Sequence, residues 1–260
     1  MRLIGELAFP EVSGKLKATS ILCLPLGAVE QHGPHLPLDT DIVVAEDITR
    51  ALIARLGEEF DLWQLPTLPI GLSREHDWAP GTLSLSIATF AALIKEVARE
   101  ITRALPARNL AFINGHGGNR GILENLLREL ASELPLNACV IHPLALCGSP
   151  SGAHTPDVHG GAGETSLMLA LAPDRVCSEL ITRAAPPAHP GTVAALVFDP
   201  GVSFPWRTDD PRLAQTGIIG DPRAASAERG RAMIETIVQN ARGVLALLRE
   251  NQAVTQRSAR

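Results

Sequence analysis

A short segment near the N-terminus, GAVEQHGPHLPLDTD at positions 27–41, is dense in side chains that bind metal ions. These side chains are Glu30, His32, His35, Asp39 and Asp41. Glu30 and His32 are two positions apart, so in extended backbone both point to the same side. The prolines that follow restrict the backbone and direct Asp41 back towards them. We therefore predict that Glu30, His32 and Asp41 bind metal. The alternative is that such residues cap one another and the next helix, which is our interpretation of His35 and Asp39.

The sequence NGHGGN at positions 114–119 places one imidazole among glycines. Glycines around His116 permit backbone conformations that other residues avoid. They also let a substrate reach the backbone, where N–H groups can bind an oxyanion. This pattern predicts that His116 is a metal ligand and that Gly117 and Gly118 contact substrate. A glycine-rich turn in which Asn119 caps the next helix is the alternative.

A third motif, VHGGAGETS at positions 158–166, combines a histidine and a glutamate with three glycines. An imidazole titrates near neutral pH, so we predict that His159 transfers protons in catalysis. We predict that Glu164 is a metal ligand and belongs to the catalytic set. The alternative is that Glu164 only stabilises the start of a helix, where a carboxylate is favoured.

The loop at positions 71–82 carries Glu75, His76 and Trp78, with a proline and glycines as breaks in the chain. These side chains are predicted to contact substrate at the rim of a pocket. The alternative is that they face solvent.

The sequence lacks the motifs of other catalytic and phosphate-binding sites. The chain has no G-x-S-x-G sequence, and NGHGGN lacks the Lys-Ser/Thr pair of a phosphate loop. None of the four cysteines forms a C-x-x-C pair. Cys23 and Cys139 lie in apolar runs, so we expect them to be reduced and structural, as in a cytoplasmic protein.

These motifs need a scaffold, and the sequence alternates short apolar runs with amphipathic stretches. Strands are predicted at 18–26, 61–70, 110–113 and 138–146, and helices at 41–56, 87–105, 121–134, 164–171 and 222–251. Such alternation predicts an α/β fold with a mostly parallel sheet covered on both faces. Ligands of open α/β sheets lie at the carboxyl ends of the strands, so the three ligand-bearing loops should converge there.

The chain is long enough for a large core and shows no internal repeat or linker. We predict a single domain over 1–251, with long loops and short strands at 189–219, followed by a polar tail at 252–260. The net charge of −5 and the pI of about 5.9 provide no basic face, so nucleic acid and anionic membranes are excluded as partners. No apolar run is long enough to span a membrane.

The predicted ligands mix imidazoles with carboxylates, a set that suits Zn²⁺, Mn²⁺ or Fe²⁺. They are too many for one open tetrahedral site. An aspartate can bind one ion with each oxygen, so the sequence predicts two divalent metal ions.

Taken together, LPLGAVEQHGPHLPLDTD, NGHGGN and HGGAGETS resemble the creatininase (creatinine amidohydrolase) family in order and spacing over about residues 20–170. The loop sequence REHDWAPGT resembles the substrate-side loop of that family. The resemblance implies a single-domain, three-layer αβα sandwich, two divalent metals and assembly as a homohexamer. Members hydrolyse compact amide bonds in cyclic amides, in a formamide on a pyrimidine intermediate, or at the C-terminus of a mycofactocin precursor peptide.

Carried over by residue, the resemblance implies that Glu30 and His116 bind one metal, that His32 binds the other and that Asp41 bridges them. It also implies that His159 protonates the leaving nitrogen. Creatininase itself has a glutamate ligand two positions after the histidine of its NGH motif. Gly118 stands there in this chain, which therefore resembles the NGHGGN branch of deformylases and precursor peptidases. The resemblance implies that Glu164 takes the vacant ligand position.

The sequence thus predicts a two-metal amidohydrolase that cleaves a cyclic amide or formamide with metal-activated water. One alternative is a metallopeptidase that trims a mycofactocin-type precursor peptide, and GIIGDPRAASAERG at 217–230 is similar to the end of that branch. An alternative of another class is a catalytically silent protein that binds metal and ligand without turnover.

Overall fold

The computed structural model describes residues 2–148, 157–182, 190–198, 201–214 and 216–258. Its strands are β1 (Ile21–Leu26), β2 (Leu62–Gln64), β3 (Asn109–Asn114) and β4 (Asn137–Ile141). Its α-helices are α1 (Phe9–Lys15), α2 (Thr40–Phe60), α3 (Ile87–Ala104), α4 (Arg120–Glu133), α5 (Pro143–Leu146), α6 (Ala162–Leu171), α7 (Ser178–Ile181), α8 (Pro190–Val193) and α9 (Ala227–Ser258).

The four strands form one parallel sheet in the order β2-β1-β3-β4. Ile21 of β1 pairs with Leu62 on one side and with Asn109 on the other. The two central strands are buried along their whole length, as expected of parallel strands covered on both faces. The predicted α/β fold with a parallel sheet is confirmed.

Helices cover both faces of the sheet and give three layers. Side chains alternate along β1, so Ile21 and Cys23 pack with α2, α6 and α9 in one core cluster. Leu22 and Leu24 pack with α3 and α4 in the cluster on the opposite face. This is the three-layer αβα arrangement that the resemblance implied.

Helix α3 shows how sequence pattern becomes packing. The Ser86 hydroxyl caps its start by accepting a hydrogen bond from the N–H of Thr89 at 3.1 Å. The buried stripe repeats at helical spacing through Phe90, Ile94 and Ala98. The helix bounds agree with the prediction to within one residue.

Two of the predicted strands are shorter in the structure because of prolines. The predicted strand 138–146 is wrong in its second half, because β4 ends at Ile141 and Pro143 starts helix α5. Proline fits the first turn of a helix, where its missing N–H is not needed. The predicted strand 61–70 shortens to Leu62–Gln64, since Pro66 and Pro69 cannot donate to a ladder.

The region 189–219 was predicted as loops and short strands, and its described parts differ. Residues Pro190–Val193 are α-helical, and Ala194–Phe198 continue as a π-helical segment. The strand expectation is met only by an isolated bridge between Ile219 and His159. Residues 189, 199–200 and 215 lie outside the described part of the chain.

The C-terminal prediction, 222–251, is also modified. Pro222–Ala224 form a short 3₁₀ turn, and α9 then runs to Ser258. Most of the predicted polar tail is therefore helical backbone. Across the described ranges, no helix combines the length and the apolar character needed to cross a membrane.

Candidate metal centre

Three separated segments bring their polar side chains to one edge of the sheet. Glu30 follows β1, His116 follows β3 and Asp41 lies in the first turn of α2. Glycine is needed at position 115, because a Cβ there would lie 2.3 Å from the carbonyl oxygen of Asp41. This close approach of backbone lets α2 present Asp41 beside β3.

Glu30, Asp41 and His116 form the first donor cluster. Nδ1 of His116 lies 3.2 Å from Oε1 of Glu30 and 3.2 Å from Oδ2 of Asp41. The three side chains are buried, and their ligand atoms all lie within 4.8 Å of one another. Three converging donors of this kind can hold a metal ion and leave positions for other ligands.

His32, His159 and Glu164 form the second donor cluster, which is also buried. Nε2 of His32 lies 3.8 Å from Oε2 of Glu164 and 3.1 Å from Oδ1 of Asp41. Asp41 therefore faces one cluster with Oδ1 and the other with Oδ2. A carboxylate in that position can bridge two metal ions.

His76 lies deeper than the pocket rim at which the sequence placed it, with only 1% of its surface exposed. Its Nε2 lies 3.4 Å from Oε1 of Glu30. Its ring stacks on His159, with 3.9 Å between the ring centroids. Glu30, His76 and His159 thus form a further group that could hold an ion.

The donor set passes a simple test for a cation site. Both carboxylate oxygens of Glu30 and Oδ2 of Asp41 are buried and accept no hydrogen bond from the described residues. Nδ1 of His116 lies near two of these oxygens without the alignment of a hydrogen bond. Burying carboxylate oxygens without partners is costly. A divalent cation among them would supply the missing interactions.

The electrostatics of the histidines point the same way. Burial alone would lower the pKa of His32, but the nearby carboxylates, led by Asp41, outweigh burial and raise it to about 10. The same opposition of burial and carboxylates raises the pKa of His116 well above its usual value. The pocket therefore favours positive charge, and a bound cation could replace the protons on these rings.

The pKa values of Glu164 and His159 shift so that the neutral form of each group is favoured. Burial raises the pKa of Glu164 to about 7; His32 lowers it and Asp41 raises it further. Burial lowers the pKa of His159 well below its usual value, and the adjacent His76 and His32 add to this. His159 is therefore neutral near pH 7.

Backbone carbonyls orient three of the imidazole rings. Nε2 of His116 donates to the carbonyl oxygen of Leu72 at 2.5 Å, and Nε2 of His159 donates to that of Gln31 at 2.6 Å. In His32 the other nitrogen, Nδ1, donates to the carbonyl of Glu30 at 3.2 Å. Each ring thereby directs its second nitrogen towards the carboxylates, as metal-site histidines direct theirs towards the ion.

The other predicted substrate-contacting residues differ in position. Glu75 is largely buried, and its Oε1 lies 3.9 Å from Nε2 of His116. Trp78 is 40% exposed. Gly117 has open space where a Cβ would be, while Gly118 presses against the backbone and His116. Gly117 and Trp78 are therefore the open positions of this predicted set.

His35 and Asp39 lie outside these clusters, which agrees with their structural interpretation. Nε2 of His35 and Oγ1 of Thr165 are 2.8 Å apart. Asp39 pairs with Arg175 at 2.6 Å on the surface.

Sequence reasoning missed two residues around the clusters. Gln31 lies between two predicted ligands, and its side-chain amide donates to the carbonyl of Gly217 at 2.9 Å. Thr208 is 1% exposed, and its hydroxyl oxygen accepts a hydrogen bond from Nε1 of Trp78 at 2.9 Å. The position of Gln31 beside Glu30 was a usable signal. Thr208 lies in an irregular segment with no motif, so nothing in the sequence indicated it.

Comparisons of sequence and of fold with known proteins point to one family. The family model described as creatininase, creatinine amidohydrolase, matches residues 5–245. A mycofactocin precursor peptide peptidase of Mycobacterium tuberculosis is 35% identical over 247 residues, which cover 92% of this chain and 89% of the relative. Creatinine amidohydrolase of Pseudomonas putida is 31% identical over 95% of this chain and 96% of its own length.

A solved structure of a mutant creatininase of the Zn–Zn type has the same fold. It superposes with a TM-score of 0.75 at 29% sequence identity. The match covers 96% of this chain and 97% of that one.

Proposed function

The chain belongs to the creatininase family and is a hydrolase of carbon–nitrogen bonds, and we propose that it uses two divalent metal ions to cleave the compact amide bond of a cyclic amide or formamide. The observation that carries this proposal is the pair of buried donor clusters that share Asp41. A single structural ion would be enclosed by four ligands and would not need a second cluster beside it.

In this proposal Glu30 and His116 hold one ion, His32 and Glu164 hold the other, and Asp41 contacts both. Zn²⁺, Mn²⁺ and Fe²⁺ all suit this mixture of imidazole and carboxylate. When bound, such ions would supply Lewis acidity and lower the pKa of a bound water, so that hydroxide would be available to attack an amide carbon near neutral pH.

His159 is proposed as the proton carrier, with Glu164 beside it in the catalytic set. Its Nε2–H is held by the carbonyl of Gln31, so Nδ1 carries the lone pair and lies 3.6 Å from Oε1 of Glu30. A neutral ring in this position can take a proton at Nδ1 and deliver it to the departing nitrogen. Burial of the ring keeps it neutral until that transfer.

The substrate side is proposed to comprise Glu75, His76, Trp78, Gly117 and Gly118. Support differs among them, since Gly117 is open and Trp78 is partly exposed, while His76 is buried against Glu30. The backbone at Gly117 can approach a substrate closely because no side chain intervenes.

The test is a pair of substitutions two positions apart, at the start of α2. Asp41→Asn removes the shared carboxylate charge, so we expect loss of bound metal and a fall in turnover of at least about a hundredfold on small cyclic amides and formamides. Asp39→Asn is the control, because Asp39 is partly exposed and pairs with Arg175 away from the clusters. Metal content by elemental analysis and turnover are measured together. Equal metal content and turnover in the two variants would contradict the proposal.

A second candidate is trimming of a mycofactocin-type precursor peptide. It is favoured by the 35% identity to a peptidase of that name and by a cavity of about 830 Å³ that adjoins Glu164, ample for a peptide end. Mass spectrometry separates the two. A shortened precursor peptide, with no turnover of cyclic amides or formamides, would favour the peptidase. Binding of metal and ligand without any product would instead favour a catalytically silent protein.

We also propose that residues 1–251 form one catalytic domain of a cytoplasmic homohexamer. Support for the hexamer comes from the family resemblance, and support for the location comes from Cys23, which is free and buried in apolar surroundings. Light scattering at micromolar concentration should give about six times the chain mass of 27.6 kDa. A monomeric mass would exclude the assembly.

A further inference from the structure

The cavity of about 830 Å³ beside Glu164 has one feature that amide hydrolysis alone does not require. Its lining includes two arginines, Arg120 and Arg229, in addition to the apolar side chains of Leu144 and Met233. A cavity that reached only a neutral amide would not need guanidinium groups. Arginine side chains are the usual partners of carboxylates and phosphates in proteins.

Arg229 is the better placed of the two. Only 30% of its side chain is exposed, and its nearest carboxylate oxygen, Oδ2 of Asp157, is 4.0 Å away. Its guanidinium donates no hydrogen bond to any residue in the described ranges, although a guanidinium has five N–H donors. Oδ2 of Asp157 already accepts the N–H of Gly163 at 2.7 Å. Asp157 thus orients Arg229 without saturating it.

Neighbouring arginines of the same chain show the contrast. Arg223 binds both carboxylate oxygens of Asp221 at 2.8 Å, and Arg212 binds both oxygens of Asp210. Both of these residues are more exposed than Arg229. A guanidinium that is mostly buried yet lacks such a partner is suited to an external anion.

Arg120 contributes from the rim of the same cavity. It directly follows the NGHGGN motif as the first residue of α4. Its Nε donates to Glu124 at 2.9 Å, and 56% of its side chain is exposed. We assign it a secondary part, attracting an anion towards the cavity.

We propose that Arg229, assisted by Arg120, forms an anion-binding subsite, so that the substrate carries a carboxylate or phosphate group in addition to the amide that is cleaved. This inference rests on the proposed amide hydrolysis for its position beside Glu164. The apolar surface of Leu144 and Met233 lines the same cavity and accommodates the part of the substrate that joins the two groups.

The experiment uses matched formamides on the metal-loaded protein. N-formylglycine carries a carboxylate, N-formylglycinamide lacks it, and N-formyl-O-phosphoethanolamine carries a phosphate instead. We expect one of the two anionic compounds to be preferred over the neutral one by about tenfold or more in kcat/KM, the size of one charge-assisted hydrogen bond. Whichever is preferred identifies the anion. Equal kcat/KM for all three would overturn the subsite and leave amide hydrolysis intact.

Three variants assign the preference to the residue. Arg229→Gln should raise KM for the preferred anionic compound about tenfold and leave N-formylglycinamide unchanged. Arg229→Lys, which keeps the charge, should retain part of the preference. Arg231→Gln is the control, because Arg231 is exposed two positions further along α9 and does not line the cavity. An unchanged preference in Arg229→Gln would refute the assignment.

A binding measurement keeps the inference testable if no formamide is hydrolysed. Thermal shift with acetate or inorganic phosphate is measured on the Asp41→Asn background, so that metal-bound anion does not contribute. Stabilisation that disappears on adding Arg229→Gln and persists in part on adding Arg229→Lys supports the subsite even where the proposed hydrolysis fails. The same stabilisation in all variants, or none in any, counts against it.

Discussion

Gly118 is a residue whose missing side chain matters to the candidate centre. A Cβ at this position would lie 2.2 Å from the carbonyl oxygen of Leu72 and 2.5 Å from Nε2 of His116. Those two atoms form the hydrogen bond that orients the His116 ring. A glutamate at position 118, which the family resemblance implies for creatininase itself, would therefore disrupt the hydrogen bond between His116 and Leu72 in this chain.

We expect Gly118→Ala to lower metal affinity about ten- to a hundredfold, the usual effect of disturbing the support of a metal-binding histidine. Gly117→Ala is the matched control, because nothing lies within 4 Å of a Cβ there. Metal affinity is measured by competition with a chromogenic chelator, and folding by circular dichroism. Equal affinity in the two variants would show that the contact at 118 relaxes without consequence.

At the scale of elements, helix α2 ends at Phe60 and is capped by Asp61, whose backbone is left-handed with φ of 51°. Burial would raise the pKa of this carboxyl group, but hydrogen bonds from Ser20, Trp63 and Arg2 outweigh burial and lower it. A carboxyl group whose folded pKa is lowered stabilises the fold above its unfolded pKa. That stabilisation is lost as the pH falls through the folded value.

Asp61→Asn should therefore remove a stabilisation that the wild type has at neutral pH. The wild type loses this stabilisation as the pH falls below about 3.8, the ordinary pKa of an aspartate carboxyl group. Asparagine also tolerates the left-handed conformation, so the change isolates the charge. Since the pair with Arg2 is partly exposed, we expect about 0.5–1 kcal/mol in the free energy of unfolding. Urea titrations at pH 7 and pH 3 measure it. A difference that does not shrink at the lower pH would contradict this account.

Thr208 is a main point of attachment between the segment at 201–210 and the loop around Trp78. Oγ1 of Thr208 lies 2.8 Å from Nδ1 of His76 and 2.9 Å from Nε1 of Trp78. The backbone N–H of Thr208 also donates to the carbonyl of Glu75 at 3.0 Å. This threonine joins a late, irregular segment to an early loop at the candidate site.

Thr208→Val should cost about 1–3 kcal/mol in the free energy of unfolding, because it leaves polar groups around His76 without a partner. Thr208→Ser keeps the hydroxyl and should stay close to wild type. Denaturant unfolding gives the free energies, and a red shift of tryptophan emission reports release of Trp78. Valine and serine variants of equal stability would exclude the hydroxyl as the attachment.

At the scale of the whole molecule, the clusters place three carboxylates, those of Glu30, Asp41 and Glu164, in the interior. Ions that bind only the folded chain stabilise it by mass action. Chelation should therefore lower the melting temperature, and added Zn²⁺ or Mn²⁺ should restore it. Differential scanning calorimetry measures the shift. A melting temperature indifferent to chelator and to added metal would mean that these carboxylates do not hold a cation.

The sequence allowed much of the architecture to be predicted, because buried parallel strands and amphipathic helices carry local signals. The apolar run before Gly27 and the stripe through Phe90 and Ile94 are examples, and both are where they were expected. The end of β4 was misplaced because an apolar run continues through Pro143 into a helix. A run of apolar residues does not by itself distinguish strand from helix.

Within the candidate site, the ligand-type residues were predictable, because imidazoles and carboxylates between glycines are distinctive. The groups that orient these residues were not predictable from the sequence. The carbonyls of Leu72 and Gln31 that orient His116 and His159 are backbone groups, which have no sequence signature. Thr208 contacts Trp78, which lies 130 positions earlier in the chain, and no local sequence pattern predicts such a contact.

The crossing of α6 and α9 bears on when the protein acquires its metal. A Cβ on Gly230 would lie 1.9 Å from the carbonyl oxygen of Ser166, so the last long helix lies directly against the helix that carries Glu164. During synthesis α9 leaves the ribosome after α6, and until then α6 lacks the surface it packs on. We expect capture of a divalent metal to follow the emergence of α9; a ribosome-stalled chain ending before residue 227 that retained metal would show the opposite order.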